Sequence, residues 1–208
     1  MILNFLYHNI IIMIFIYGDS HANTNFKNLN LPFVNKFEKS ITMFRIGRDN
    51  IIINFNNQEH NEDSILCFNY GEVDCRCHIQ RQINLGKNEN DIIYELVDKY
   101  FNTINNNINK YSKIIIVAII PPTKQMAYES LYGQITHEFP FVGSDEERVS
   151  YTIKMNNLLK EYCNKYNFIY FDPFDYYKSY NGLLNFELSD NNIHLGDNSF
   201  FLEKFIEL

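Results

Sequence analysis

Ser20 and His194 are the two side chains of this sequence best suited to covalent chemistry, provided the fold brings them together. A serine hydroxyl is a weak nucleophile until a base takes its proton, and an imidazole steadied by a carboxylate is the usual base. Ser20 lies in Gly18-Asp19-Ser20-His21, at the end of the apolar run Ile10–Tyr17. His194 lies near the C-terminus in the stretch LSDNNIHLG, Leu188 to Gly196. Asp190 and Asn191, four and three residues before it, both stand as candidates to orient the ring. By position alone Ser20 also fits a helix N-cap, and His21 fits either the lining of a substrate pocket or a solvent-facing ring.

A second knot of chemistry follows another apolar run. In NYGEVDCRCH, Asn69 to His78, the charges Glu72, Asp74 and Arg76 crowd behind Gly71. They read either as support for a site or as an ion-pair network that holds the loop. Cys75 and Cys77 are too closely spaced for the usual zinc pattern and have no second pair elsewhere, so no metal and no cofactor are expected.

The elements that must position these groups can be read from periodicity. Ile10–Tyr17, Ser64–Phe68, Ile114–Ile120 and Phe168–Phe171 are short, largely non-alternating runs, as expected of strands covered on both faces, and Ile51–Phe55 is a further candidate. Ile92, Ile93, Leu96, Val97, Tyr100, Phe101, Ile104 and Ile108 recur every three or four residues, which predicts a helix over about Asp91–Lys110. Ser144 and Glu147 form a capping-box signature for the next helix, with Val149, Ile153, Leu158, Leu159 and Tyr162 as its expected buried face. A last helix is expected from about Asn198 to Glu207. Alternating strands and helices make one three-layer, doubly wound α/β domain over residues 1–208, with a parallel sheet.

Ligands of such sheets bind beyond the carboxyl ends of the strands, and the loops carrying Ser20, Glu72, Thr123 and His194 all follow that edge. The stretch Thr123–Gly143 lacks clean periodicity. Its Tyr128, Tyr132, His137 and Phe139 could stack on sugar rings or pack over the sheet edge.

The bulk composition narrows the function class. A 46% hydrophobic and 21% charged chain is ordinary for a globular protein. A net charge of −7 without a Lys/Arg cluster argues against a nucleic-acid partner. The abundance of Asn, Ile and Lys with only three alanines fits the codon bias of an AT-rich genome. No Lys or Arg precedes the first apolar run, and Asn4, His8 and Asn9 break the hydrophobicity before it, leaving only Ile10–Tyr17. Neither an export signal nor a membrane span is therefore expected, and reduced cysteines in a cytoplasmic setting are. No Gly-x-Gly-x-x-Gly follows the first strand, which weighs against a dinucleotide-binding domain.

Together, Gly18-Asp19-Ser20, GEVDCR and the late His194 resemble the SGNH (GDSL) hydrolase superfamily of serine esterases, lipases and acyltransferases, built on a flavodoxin-like sheet. GEVDCR is similar to a variant branch that reads Gly-Glu-Ile-Asp-Cys-Arg where most members have Gly-x-Asn-Asp. The resemblance spans essentially the whole chain and implies acyl transfer from an ester, with Ser20 as nucleophile and His194 as base. It implies an oxyanion hole from the N–H groups of Ser20 and Gly47, the latter matching the family's isolated second-block glycine. Asp19, Glu72, Asp74 and Asn191 would support the site, and His21 would touch substrate. Two departures stand out. Val73 occupies the position of the oxyanion-hole Asn, with Arg76 as the candidate replacement, and the Asp of the last block sits one residue early, at Asp190. The expected substrate is a small-molecule or glycan ester with a short acyl group; the competing expectation is a non-catalytic carbohydrate-binding or structural domain of the same fold.

Overall fold

The apolar run ending at Gly18 becomes β1 (Ile14–Gly18) in the computed structural model, which describes residues 12–37, 41–49, 63–108, 113–136 and 138–208. The other strands among these residues are β2 (Phe33–Phe37), β3 (Ile65–Asn69), β4 (Lys113–Val117) and β5 (Ile169–Phe171). All pair in parallel, in the order β2-β1-β3-β4-β5. This is the flavodoxin-like order, with its topological switch between β1 and β3. The candidate strand Ile51–Phe55 lies outside the described residues.

The helices are α1 (Ser20–Asn25), α2 (Met43–Asp49), α3 (Ile79–Asn84), α4 (Glu89–Asn107), α5 (Gln125–Tyr132), α6 (Asp145–Tyr166), α7 (Phe174–Tyr177) and α8 (Ser199–Ile206). Side chains alternate across the strands, so the sheet separates two cores. Phe15, Tyr17, Leu66, Phe68, Ile114 and Ile116 meet the apolar faces of α2, α4 and α6. Ile14, Ile16, Cys67, Ile115 and Val117 meet Ala22 and Phe26 of α1 and Phe201 and Phe205 of α8. Burial on both faces is why these runs do not alternate in sequence, and it makes the molecule a three-layer α/β structure as expected. The four cysteines are buried free thiols.

The capping box of α6 forms as anticipated: Glu147 N donates to Ser144 Oγ at 3.2 Å and Ser144 N donates to Glu147 Oε2 at 2.7 Å. The buried face of this helix differs from the expected one. Ile153 is exposed, while Arg148, Thr152 and Asn156 are buried. Each of these side chains makes hydrogen bonds; Asn156, for example, exchanges two with the backbone of Ile119, at 2.8 and 2.9 Å. No described helix is long and apolar enough to cross a membrane.

Candidate active site

Gly18 closes β1 and lets the chain turn at once into α1. A Cβ at this position would lie 2.2 Å from the Ala22 Cβ and 2.6 Å from the Asn69 carbonyl oxygen, so no larger residue fits this close approach. Asp19 takes the N-cap, its side chain accepting the His21 N–H at 2.9 Å. Ser20 is therefore the first residue of the helix rather than its cap, and its hydroxyl remains free for other contacts.

His194 reaches that hydroxyl from a tight loop. Ser189 and Leu195 bridge in antiparallel fashion, Asp190 N donates to the His194 carbonyl at 3.0 Å, and Asn191 takes a left-handed φ of 63° between them. Gly196 lets the two arms close, since a Cβ there would lie 2.3 Å from the Ser189 carbonyl oxygen. Within the loop, Asp190 Oδ1 accepts from the N–H groups of Asn192 at 2.8 Å and His194 at 3.2 Å. Its Oδ2 stands 3.1 Å from His194 Nδ1, and His194 Nε2 stands 3.0 Å from Ser20 Oγ. A carboxylate at Nδ1 favours the tautomer with the proton there, leaving the Nε2 lone pair toward the serine. Asn191 contributes its backbone conformation to the loop, and Asp190 is the group at the ring.

The second knot divides into two parts. Glu72 and Arg76 form a buried, two-pronged pair, with Arg76 Nε donating to Oε1 at 2.7 Å and Nη2 to Oε2 at 3.1 Å. A third Arg76 N–H donates to the Phe139 carbonyl. Asp74 faces elsewhere: its carboxylate accepts the N–H groups of Met43 at 2.9 Å and Phe44 at 3.1 Å and stands 3.0 Å from His78 Nδ1. It caps α2 and holds that helix in place instead of supporting the serine. Asp74 and Arg76 lie in a π-helical turn, Asp74–His78, which leads into α3; Glu72 stands just before it.

Two further expectations are corrected. Gly47 lies inside α2 against the Lys99 side chain of α4 and lines a separate cavity of about 130 Å³, so it is not brought to Ser20. His21 is neither solvent-facing nor open to substrate. Its ring is buried, with Nδ1 3.2 Å from Asp19 Oδ1 and Nε2 3.0 Å from the Ile193 carbonyl oxygen.

The cleft beside Ser20 has a volume of about 680 Å³. Polar Asp19, Arg76 and Asn192 line it together with the apolar and aromatic Phe37, Ile41, Val73, Tyr128, Ile135, Phe139 and Ile193. Tyr128 and Phe139 are thus brought to the cleft; Tyr132 is exposed and does not line it, and His137 lies outside the described residues. Phe37 was not visible from sequence because β2, an edge strand among the described residues with the polar Asn35 and Lys36, has no apolar run to mark it.

The electrostatics favour the unprotonated imidazole. Burial above all, with the facing His21, pushes His194 down to about 4, against the opposing pull of Asp190 and Glu72. The ring is neutral at pH 7 and able to accept a proton. Among the described residues there is no cluster of His, Cys, Asp and Glu that could hold a metal ion.

No protein-family model and no curated protein sequence matches the chain. Solved structures do. A protein from Streptococcus pneumonia aligns with a TM-score of 0.63 at 13% identity, over 97% of this chain and 86% of its own. An acetyl xylan esterase aligns with a TM-score of 0.58 at 12% identity, over 94% and 98%. A member of the lipolytic protein G-D-S-L family from Veillonella parvula aligns with a TM-score of 0.52 at 14% identity, over 95% and 97%. At these identities the likeness is one of fold: this chain shares its three-layer α/β architecture with an acetyl xylan esterase and a member of the lipolytic protein G-D-S-L family.

Proposed function

We propose that this protein is a serine ester hydrolase that removes small O-acyl groups from a glycan, with Ser20 as nucleophile, His194 as base and Asp190 as the residue that orients it. The observation that carries this reading is the chain of contacts from Ser20 Oγ to His194 Nε2 at 3.0 Å and from His194 Nδ1 to Asp190 Oδ2 at 3.1 Å. His194 takes the hydroxyl proton as Oγ attacks the ester carbonyl. It returns that proton to the leaving alkoxide, and an acyl-serine remains. Water, deprotonated by the same ring, then releases the carboxylate and restores Ser20.

The oxyanion needs donors fixed in advance. The Ser20 N–H opens α1, where first-turn amides have no intrahelical acceptor. Arg76 is the second donor in this proposal. It lines the cleft with Ser20, and the three bonds it makes to Glu72 and Phe139 leave two of its five N–H groups for a ligand. The aromatic walls at Phe37, Tyr128 and Phe139 suit the faces of a sugar, and an acetyl xylan esterase shares the fold.

Fluorophosphonate labelling read by peptide mass spectrometry tests the reading. Modification at Ser20 that disappears in Ser20→Ala and His194→Ala is expected, followed by release of acetate from acetylated sugars. An unlabelled Ser20 in folded protein would favour a non-catalytic carbohydrate-binding domain, for which Val73 at the expected donor position is the supporting feature.

A further inference from the structure

A buried ring sits against His194 that the proposed reaction does not consume. His21 and His194 lie with ring centroids 4.6 Å apart and planes inclined by 52°. Both nitrogens of His21 face acceptors. Nε2 meets the Ile193 carbonyl oxygen at 3.0 Å, and a carbonyl can only accept. Nδ1 meets Asp19 Oδ1 at 3.2 Å, and that same oxygen already accepts the His21 backbone N–H at 2.9 Å. A neutral imidazole carries one N–H and would leave one of these buried contacts as two lone pairs facing each other.

Charge balance points the same way. The groups facing His21 are Asp19 from its own turn, Glu72 at 3.9 Å from the segment after β3, and His194 from the C-terminal loop. Arg76 lies behind Glu72. Asp19, His21, Glu72 and Arg76 are all buried, and an uncompensated charge there would be costly. With His21 charged, two cations meet two carboxylates; with His21 neutral, one negative charge is left over.

We infer that His21 is a resident imidazolium that serves as a positioning residue, fixing the His194 loop to the Ser20 turn through Ile193 and keeping His194 unprotonated by repulsion. Its consequence for turnover rests on the esterase reading, whereas its protonation state does not. During the proposed reaction His194 becomes a cation beside a cation, which favours prompt return of the proton to the leaving oxygen. Burial opposes the charge on His21, but Asp19, Glu72 and the two hydrogen bonds outweigh it and hold the ring above its ordinary value.

The test is a titration of the imidazole nitrogens of uniformly ¹⁵N-labelled protein by long-range ¹H–¹⁵N correlation. His21 is assigned by its loss in His21→Gln or, if that variant does not fold, by through-space contacts between the two neighbouring rings. At pH 7.5 we expect both nitrogens of His21 to carry protons, while His194 carries one, on Nδ1. A neutral His21 at that pH would overturn the inference. In folded His21→Gln, the His194 titration should move up from about 4 toward the ordinary value of about 6.5, and the acidic limb of kcat/KM should move with it. A His194 titration unmoved in that variant would also overturn it, since loss of activity alone would mark a merely structural residue. Because the titrations need no substrate, an absence of esterase activity with His21 charged would sink the proposed reaction and leave this inference standing.

Discussion

The Ser20–His194–Asp190 contacts make a specific statement about pH. An ordinary imidazole would lose its function as base near pH 6.5. Burial and the neighbouring His21 hold His194 near 4, so kcat/KM for an acetyl ester should stay level down to about pH 5 and fall only below it. A pH–rate profile of the folded enzyme measures this, and an acidic limb at 6.5 would contradict the burial of His194. Asp190 should matter through orientation. An amide in its place can present its NH₂ to Nδ1 and favour the wrong tautomer, so Asp190→Asn should lower kcat by up to about 10⁴-fold with little change in melting temperature. The side chain is one-third exposed and leaves no deeply buried charge unpaired when changed. Kinetics beside a thermal melt separate the two effects.

Arg76 joins two elements, and its substitution tests what the loop before α6 does. The guanidinium grips Glu72 with two N–H groups and the Phe139 carbonyl with a third, and it stacks on Phe141 at 5.6 Å. The buried Arg148 stacks on the same Phe141 at 5.0 Å, so one aromatic ring is held by two cations. Lysine keeps the charge without the fork. Arg76→Lys should therefore lower kcat by about 10²-fold if Arg76 donates to the oxyanion. A rise in KM at unchanged kcat would instead assign it to holding Phe139 at the cleft wall. Sequence made some of this scale legible and not the rest, for physical reasons. Strands buried on both faces and the capping box of α6 announce themselves through composition and local chemistry. The buried face of α6 differs from the apolar pattern because Arg148, Thr152 and Asn156 are buried with partners: Arg148 and Thr152 bond carbonyls of Gly143 and Arg148 nearby in the chain, and Asn156 bonds the distant Ile119. Gly47 resembled an oxyanion-hole glycine by sequence order alone, and its real constraint is the Lys99 side chain packed against it. Asp74 and Glu72 are two residues apart, yet the turn of the chain sends one to cap α2 and the other to Arg76 and His21.

For the whole molecule, the two facing histidines pull the pH dependence of stability in opposite senses. His194 holds its proton less tightly when folded than when unfolded. Between about 6.5 and 4 the unfolded chain takes up the proton first, and stability is lost as pH falls through that window. A shift of that size corresponds to about 3 kcal/mol by the lower end of the window. His21 behaves in reverse. Its folded value is raised, so its contribution is fully present below 6.5 and is lost as pH rises through that raised value. Glu72, held below its ordinary 4.5 by Arg76 and His21 against the effect of burial, adds a loss only beneath that point. The melting temperature should therefore peak near pH 6.5 and decline on both sides. His194→Gln should flatten only the acidic decline above pH 4.5, whereas His21→Gln should flatten the alkaline decline and also lessen the acidic one, because the His194 titration moves up once the facing charge is gone. Thermal melts of the three proteins from pH 4.5 to 9 measure this directly. A peak that keeps both slopes in the two variants would show that neither ring sets the pH range in which the fold is most stable.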